Sequence, residues 1–185
     1  TKHLAIGLLG QAIQARQRAC LATRENPRET AQPPRRGAQI APHETLLAAA
    51  NQELRPTAEL LLYFASRAQN VEERILPALE RAAIVLSDRF TDSSLVYQGC
   101  GRGLGAETIA VLDRIACRGL VPDLTLLVDI DLETSLARAR ARNQERNSAE
   151  TRMDDQSQEF HRTVREAYLA LARREAGRYR IVDGR

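Results

Sequence analysis

A chain of 185 residues, 43% hydrophobic and 28% charged, is long enough to bury a sizeable core in a single domain. No apolar stretch approaches the roughly 18 residues of a membrane span, and no charged-then-apolar secretion signal opens the chain. The formal charge of +3 suits an anionic nucleotide, whereas aromatics at 4%, scarcely interleaved with basic residues, argue against nucleic acid. Cys20, Cys100 and Cys117 are odd in number and widely spaced, which points to neither a disulfide framework nor a metal cluster and fits a reducing cytosol.

The elements alternate in chain order as in a parallel sheet wrapped by helices. A helix is predicted over residues 2–18, striped by Leu4, Leu8, Leu9 and Ile13, and a strand over 19–23. Residues 24–42, holding Pro27, Pro33, Pro34 and Gly37, read as an irregular loop. Helical stretches follow over 43–52 and 56–79. After a strand ending at Asp88 come a helix over 106–118, a strand over 124–130 and a helix over 132–143. A polar connector over 144–151, a long helix over 154–176 and a last strand over 180–183 complete the plan.

The run Ala82-Ala83-Ile84-Val85-Leu86 is too short and too uniformly apolar for a half-buried helix face. It reads as a strand buried on both sides of a parallel sheet. Asp88-Arg89-Phe90-Thr91-Asp92-Ser93-Ser94 follows it, then Tyr97-Gln98-Gly99-Cys100-Gly101-Arg102-Gly103. Caps at Asp88 and Ser93 and glycine turns would account for single residues. They do not account for the whole string, which reads as a ligand site at the carboxyl end of the strand.

This string resembles the hallmark of bacterial thymidylate kinases, a strand ending in Asp-Arg-aromatic, then a hydroxyl-rich turn, Tyr-Gln-Gly and Gly-Arg-Gly. Residues 58–69 resemble the family's thymine-stacking helix, and residues 124–129 its next strand. Arg138-Ala139-Arg140-Ala141-Arg142, Arg152-Met153-Asp154, Phe160-His161-Arg162 and Tyr168 are similar to its lid and following helix. The resemblance implies one domain over residues 1–185, a three-layer α/β fold of the P-loop NTPase-like, nucleoside monophosphate kinase type, with a lid over about 138–153. It further implies ATP-dependent phosphorylation of dTMP to dTDP in dTTP biosynthesis, with Mg²⁺, by a cytoplasmic homodimer that engages neither nucleic acid nor membrane.

The family opens with a strand and a Gly-x-x-x-x-Gly-Lys-Ser/Thr loop whose backbone N–H groups cradle the phosphates of ATP. That pattern occurs nowhere in this sequence, and Thr1 falls where the loop's final Thr would be. The expectation is therefore a chain that lacks the first strand and phosphate loop, with ATP chemistry crippled if nothing precedes Thr1.

In the resemblance Tyr63 stacks on thymine and Arg67 reaches a pyrimidine carbonyl, and their spacing of four puts both on one helix face. Ser94 and Gln98, also four apart, point into the same pocket with Tyr97 beside the sugar. Helix patterning alone leaves open a core aromatic, a surface arginine and a solvated face. Arg89 clamps the monophosphate with its planar pair of donors. Asp88 holds Mg²⁺ through water or orients the acceptor, an N-cap being its alternative role. Arg24-Glu25-Asn26-Pro27-Arg28-Glu29-Thr30 stands where the family has Arg-Glu-Pro-Gly-Gly-Thr, and with both glycines lost only Glu25, with Arg24 beside it, is carried over.

For the lid, the resemblance sets Arg138 near adenine and makes Arg142, Arg146 and Arg152 the pool from which one arginine closes on the transferring phosphoryl group. A solvated, salt-bridged surface explains most of these arginines equally well. The stripe Ala58, Leu61, Leu62 and Ala65 serves either a dimer interface or the molecule's own core. A dTMP-binding descendant without phosphoryl transfer, and a related nucleoside monophosphate kinase, stay open beside the main reading.

Overall fold

The computed structural model describes residues 3–8, 20–22, 46, 49–146 and 151–185. A five-stranded sheet in the order β2-β3-β1-β4-β5 organises them. Its strands are β1 (His3–Leu8), β2 (Cys20–Ala22), β3 (Ile84–Asp88), β4 (Leu124–Asp129) and β5 (Tyr179–Asp183). All pairings are parallel except that of β2, which runs antiparallel along the edge of β3 with Cys20 opposite Leu86.

The helix predicted over residues 2–18 is corrected at its start, because His3–Leu8 is a strand. A short apolar run carries too few residues to separate the two periods. The sheet decides between them. Parallel β3 and β4 each present a row of backbone donors and acceptors, and β1 satisfies both by placing Ile6 opposite Asp88 on one side and Leu126 on the other. It thereby occupies the centre of the sheet, between β3 and β4.

The helices are α1 (Pro56–Asn70), α2 (Leu76–Glu80), α3 (Thr91–Ser94), α4 (Ala106–Cys117), α5 (Leu132–Arg146) and α6 (Gln158–Arg174). Proline at the first position of α1 costs no hydrogen bond, since the first helical N–H groups have no intrahelical acceptor. A π-helical stretch, Val71–Ile75, joins α1 to α2, and another, Leu95–Gly101, extends α3. The helix predicted from residue 154 begins four residues later because Ser157 caps it, its Oγ accepting from the Phe160 N–H at 3.1 Å.

Two groups of buried side chains hold the layers together. Leu60, Phe64, Val71, Ile75, Val85, Ile109 and Cys117 join α1, α4 and β3. Val96, Leu127, Phe160, Val164, Tyr168, Leu171 and Tyr179 join the second π-helical stretch and α6 to β4 and β5. The strand β3 is not buried on both sides throughout, since Ile84, its first residue, is 41% exposed. Among the described residues no helix is long and apolar enough to cross a membrane.

The segment after β3 is fastened to the far edge of the sheet. Arg178 grips both carboxylate oxygens of Asp92 at 2.7 Å, and the Tyr179 hydroxyl donates to the same carboxylate at 2.7 Å. Such a pair, largely out of water, is costly to break from one side because the remaining charge stays desolvated. Asp92→Ala is expected to lower stability by about 2 kcal/mol in urea unfolding. Asp183→Ala, which removes the exposed pair with Arg185, should leave the midpoint unchanged.

Candidate functional site

Strand β3 delivers Asp88 and Arg89 to the carboxyl end of the sheet. Arg89 has φ of 67°, a left-handed conformation that costs a side-chain-bearing residue about 1 kcal/mol, and Ser87 Oγ braces it by donating to the Arg89 carbonyl at 2.8 Å. The guanidinium is 8% exposed and lies 5.0 Å over the Tyr97 ring, within 3.4 Å of the Tyr97 and Tyr168 hydroxyls. Ser93 fixes Tyr168 through a 2.7 Å hydroxyl contact. Burial opposes the charge of Arg89, but the two tyrosines and Asp88 more than offset this and hold its pKa above the ordinary arginine value. Asp88 caps nothing, because Phe90 occupies the N-cap of α3. Its Oδ1 is buried without a partner, and burial raises its carboxyl pKa against the pull of Arg89.

Helix α1 forms the opposing wall. Glu59, Tyr63 and Arg67, spaced by four, share one face, which runs against residues 90–98 in the opposite chain sense. Arg67 meets Ser94 and the Phe90 carbonyl through Nη2, at 2.9 and 3.4 Å, and Glu59 meets Gln98. Arg67 is 2% exposed, its guanidinium 4.7 Å from the centre of the Phe64 ring, and its Nε and Nη1 have no hydrogen-bond partner. Burial lowers its pKa. Tyr63 is half-buried between Glu59 and Arg67, and burial and then Glu59 push its pKa up while Arg89 pulls it down.

Glu59, which the sequence reading passes over, is the hub of this wall. Its carboxylate is completely buried and takes Gln98 Nε2 at 2.7 Å, Arg102 Nη2 at 3.2 Å and Arg152 Nη1 at 2.7 Å. Arg152, expected among the lid arginines that close on the phosphoryl group, is instead 2% exposed and committed to Glu59 and to the carbonyls of Leu46, Asn51 and Leu54. The signal available in the sequence was the spacing of Glu59 with Tyr63 and Arg67.

Tyr63, Arg67, Arg89, Ser94, Tyr97 and Gln98 thus converge, with Asp88 at the strand end. The lid arginines are not drawn in with them. Arg138 donates to the Gly184 carbonyl at 2.7 Å, and Arg142 pairs with Asp154 at 3.5 Å. Thr1 and Glu25, with Arg24, lie outside the described residues, as does the side chain of Arg146. Of the stripe on α1, Leu61 is 51% exposed and Ala65 is exposed, while Leu62 packs on the core.

A predominantly parallel sheet with cationic and aromatic side chains gathered at a strand's carboxyl end, in a chain that matches a solved thymidylate kinase in fold, is an α/β protein of the P-loop NTPase-like, nucleoside monophosphate kinase class. The chain belongs to the thymidylate kinase family, whose profile matches residues 11–185. It is 44% identical to the thymidylate kinase of Pelobacter propionicus over 99% of this chain and 81% of that protein. It is 43% identical to that of Trichlorobacter lovleyi over 98% and 83%. The crystal structure of thymidylate kinase from Ehrlichia chaffeensis matches with a TM-score of 0.53 at 26% identity, over 70% of this chain and 59% of that one.

Arg152→Met deprives the buried Glu59 of one of its two cations, and urea unfolding is expected to show a loss of about 3 kcal/mol. A stability unchanged within about 0.5 kcal/mol, the scatter of surface substitutions, would contradict the role of Arg152 in holding Glu59.

Proposed function

We propose that this chain is a cytoplasmic dTMP kinase of dTTP biosynthesis, transferring a phosphoryl group from ATP to dTMP to give dTDP. The observation that carries the reading is Arg67, a buried guanidinium with two unpaired nitrogens on the same helix face as Tyr63. A desolvated cation costs several kcal/mol unless an acceptor meets it, and a pyrimidine carbonyl supplies one while the ring stacks on Tyr63.

Arg89 then binds the acceptor phosphate. Its planar guanidinium, set over the Tyr97 ring at 5.0 Å, offers a phosphate charge-assisted hydrogen bonds. The tyrosines keep the guanidinium plane oriented, and Tyr97 lies beside the sugar. Ser94 and Gln98 complete the base contacts, and Glu25 is a further substrate-binding residue. Asp88, with an unpartnered carboxylate oxygen, fits a role in holding Mg²⁺ through water. Held there, such an ion would supply neutralisation of phosphate charge. On the donor side Thr1 serves the ATP phosphates and Arg138 the adenine. Arg142 and Arg146 form the group from which a lid arginine closes, with Arg152 set aside by its commitment to Glu59. Positioning and electrostatics suffice for the transfer, with no nucleophile or base dyad.

The active form is a homodimer formed through α1 and its neighbour α4, where Leu61 is 51% exposed, Val111 42% and Ile115 72%. Ile115→Glu is expected to shift sedimentation from dimer to monomer.

The test of the activity is a coupled assay of ADP release with dTMP and ATP, beside calorimetric titration with dTMP alone. Turnover with dTMP exceeding that with CMP or AMP supports the reading, and no heat of dTMP binding would refute it. Arg89→Met is expected to weaken dTMP binding roughly 10- to 100-fold, the value of a charge-assisted pair of hydrogen bonds.

A further inference from the structure

We infer that Glu59 is a positioning residue that fixes the orientation of the Gln98 amide and thereby selects the base edge the pocket accepts. This rests on the reading of the pocket as a pyrimidine site. An amide side chain presents a carbonyl acceptor at one end and an NH₂ donor at the other, and only its partners decide which way it faces. Gln98 is 2% exposed, and its amide lies against Glu59 Oε1 at 2.7 Å. The Glu59 carboxylate, fully buried between Arg102 and Arg152, only accepts. The NH₂ end of Gln98 is therefore bound to Glu59. Its Oε1 is left to face away, and among the described residues it takes no hydrogen bond.

The consequence is a polarity pattern on the pocket wall. Arg67 offers unpaired donors, and Gln98 offers an acceptor. Thymine and uracil have the complementary edge, a carbonyl beside an N3–H donor. Cytosine inverts it, with a lone pair at N3 and an amino group at C4. A site that leaves an acceptor facing a lone pair once the ligand has displaced water discriminates, because neither group then finds another partner. With an ambivalent neighbour in place of Glu59 the Gln98 amide can turn over, and its NH₂ would then suit cytosine N3.

The test is calorimetric titration of the full chain and of Glu59→Gln with three ligands: dTMP, its N3-methyl derivative and dCMP. The wild-type chain is expected to bind dTMP at least about 10-fold more tightly than either of the others, as loss of one buried hydrogen bond implies. In Glu59→Gln the preference for dTMP over dCMP is expected to fall below about 3-fold, with dCMP binding more tightly than it does to wild type. Tighter dCMP binding is a sign that general damage to the fold does not produce. A preserved dTMP to dCMP ratio in the folded variant, or parallel weakening of both ligands, would overturn the inference. If the variant fails to fold, the wild-type comparison decides, and equal affinity for dTMP and its N3-methyl derivative overturns it. Absence of dTMP binding to wild type defeats the pyrimidine reading itself, so the two failures are distinguishable.

Discussion

A single buried carboxylate governs the geometry of the candidate site. Glu59 would cost several kcal/mol to desolvate alone, and the fold offsets this with Arg102, Arg152 and the Gln98 amide. Each partner belongs to a different segment. Gln98 and Arg102 come from the stretch that follows β3, and Arg152 comes from the approach to α6. Arg152 in turn satisfies three backbone carbonyls around residues 46–54. With Glu59 held, α1 cannot rotate about its axis, and Tyr63 and Arg67 are fixed in direction with it. Orientation in the pocket is thus set from one end of the helix face.

The same face shows the opposite economy at its other end. Arg67 sits at a burial equal to that of Arg152, yet only Nη2 finds protein oxygens. Arg89 adds a strained backbone, and Asp88 an unpartnered oxygen. Local departures from good packing and full hydrogen bonding that cluster at one strand end are characteristic of places where function outweighs stability. The contrast between Glu59, fully compensated, and Arg67, with two unpartnered nitrogens, marks where a ligand is proposed to bind.

Much of this was legible in the sequence, and the failures have physical causes. The strand ending at Asp88, the helix over 106–118 and the strand from Leu124 were readable because their apolar patterns are long or sharply bounded. That Tyr63 and Arg67 share one face of α1 followed from helical spacing, whereas their place in a substrate pocket came from the family resemblance. The start of the chain was misread as helix because six residues of mixed apolar character fit either period, and only the unpaired edges of β3 and β4 decide between them. The burial of Arg152 was not foreseen because no local pattern reveals a buried carboxylate ninety-three residues earlier in the chain. Ser157 as a cap was equally hidden until the connector had a conformation.

The glycine-rich string after Gln98 acquires its meaning through that carboxylate. As turn residues Gly101 and Gly103 look interchangeable, and Gly103 does supply a left-handed turn at φ of 70°. Gly101 is required for a different reason, since a Cβ there would stand 2.6 Å from the Phe160 ring. Its bare backbone lets Phe160 close in beside Tyr97, with ring centres 6.0 Å apart. Arg102 lies over that same Phe160 ring at 4.8 Å and from there reaches Glu59, its Nη1 donating to Gln156 at 2.8 Å. A missing side chain thus sets an aromatic ring, the ring seats a guanidinium, and the guanidinium helps hold the carboxylate that orients the pocket.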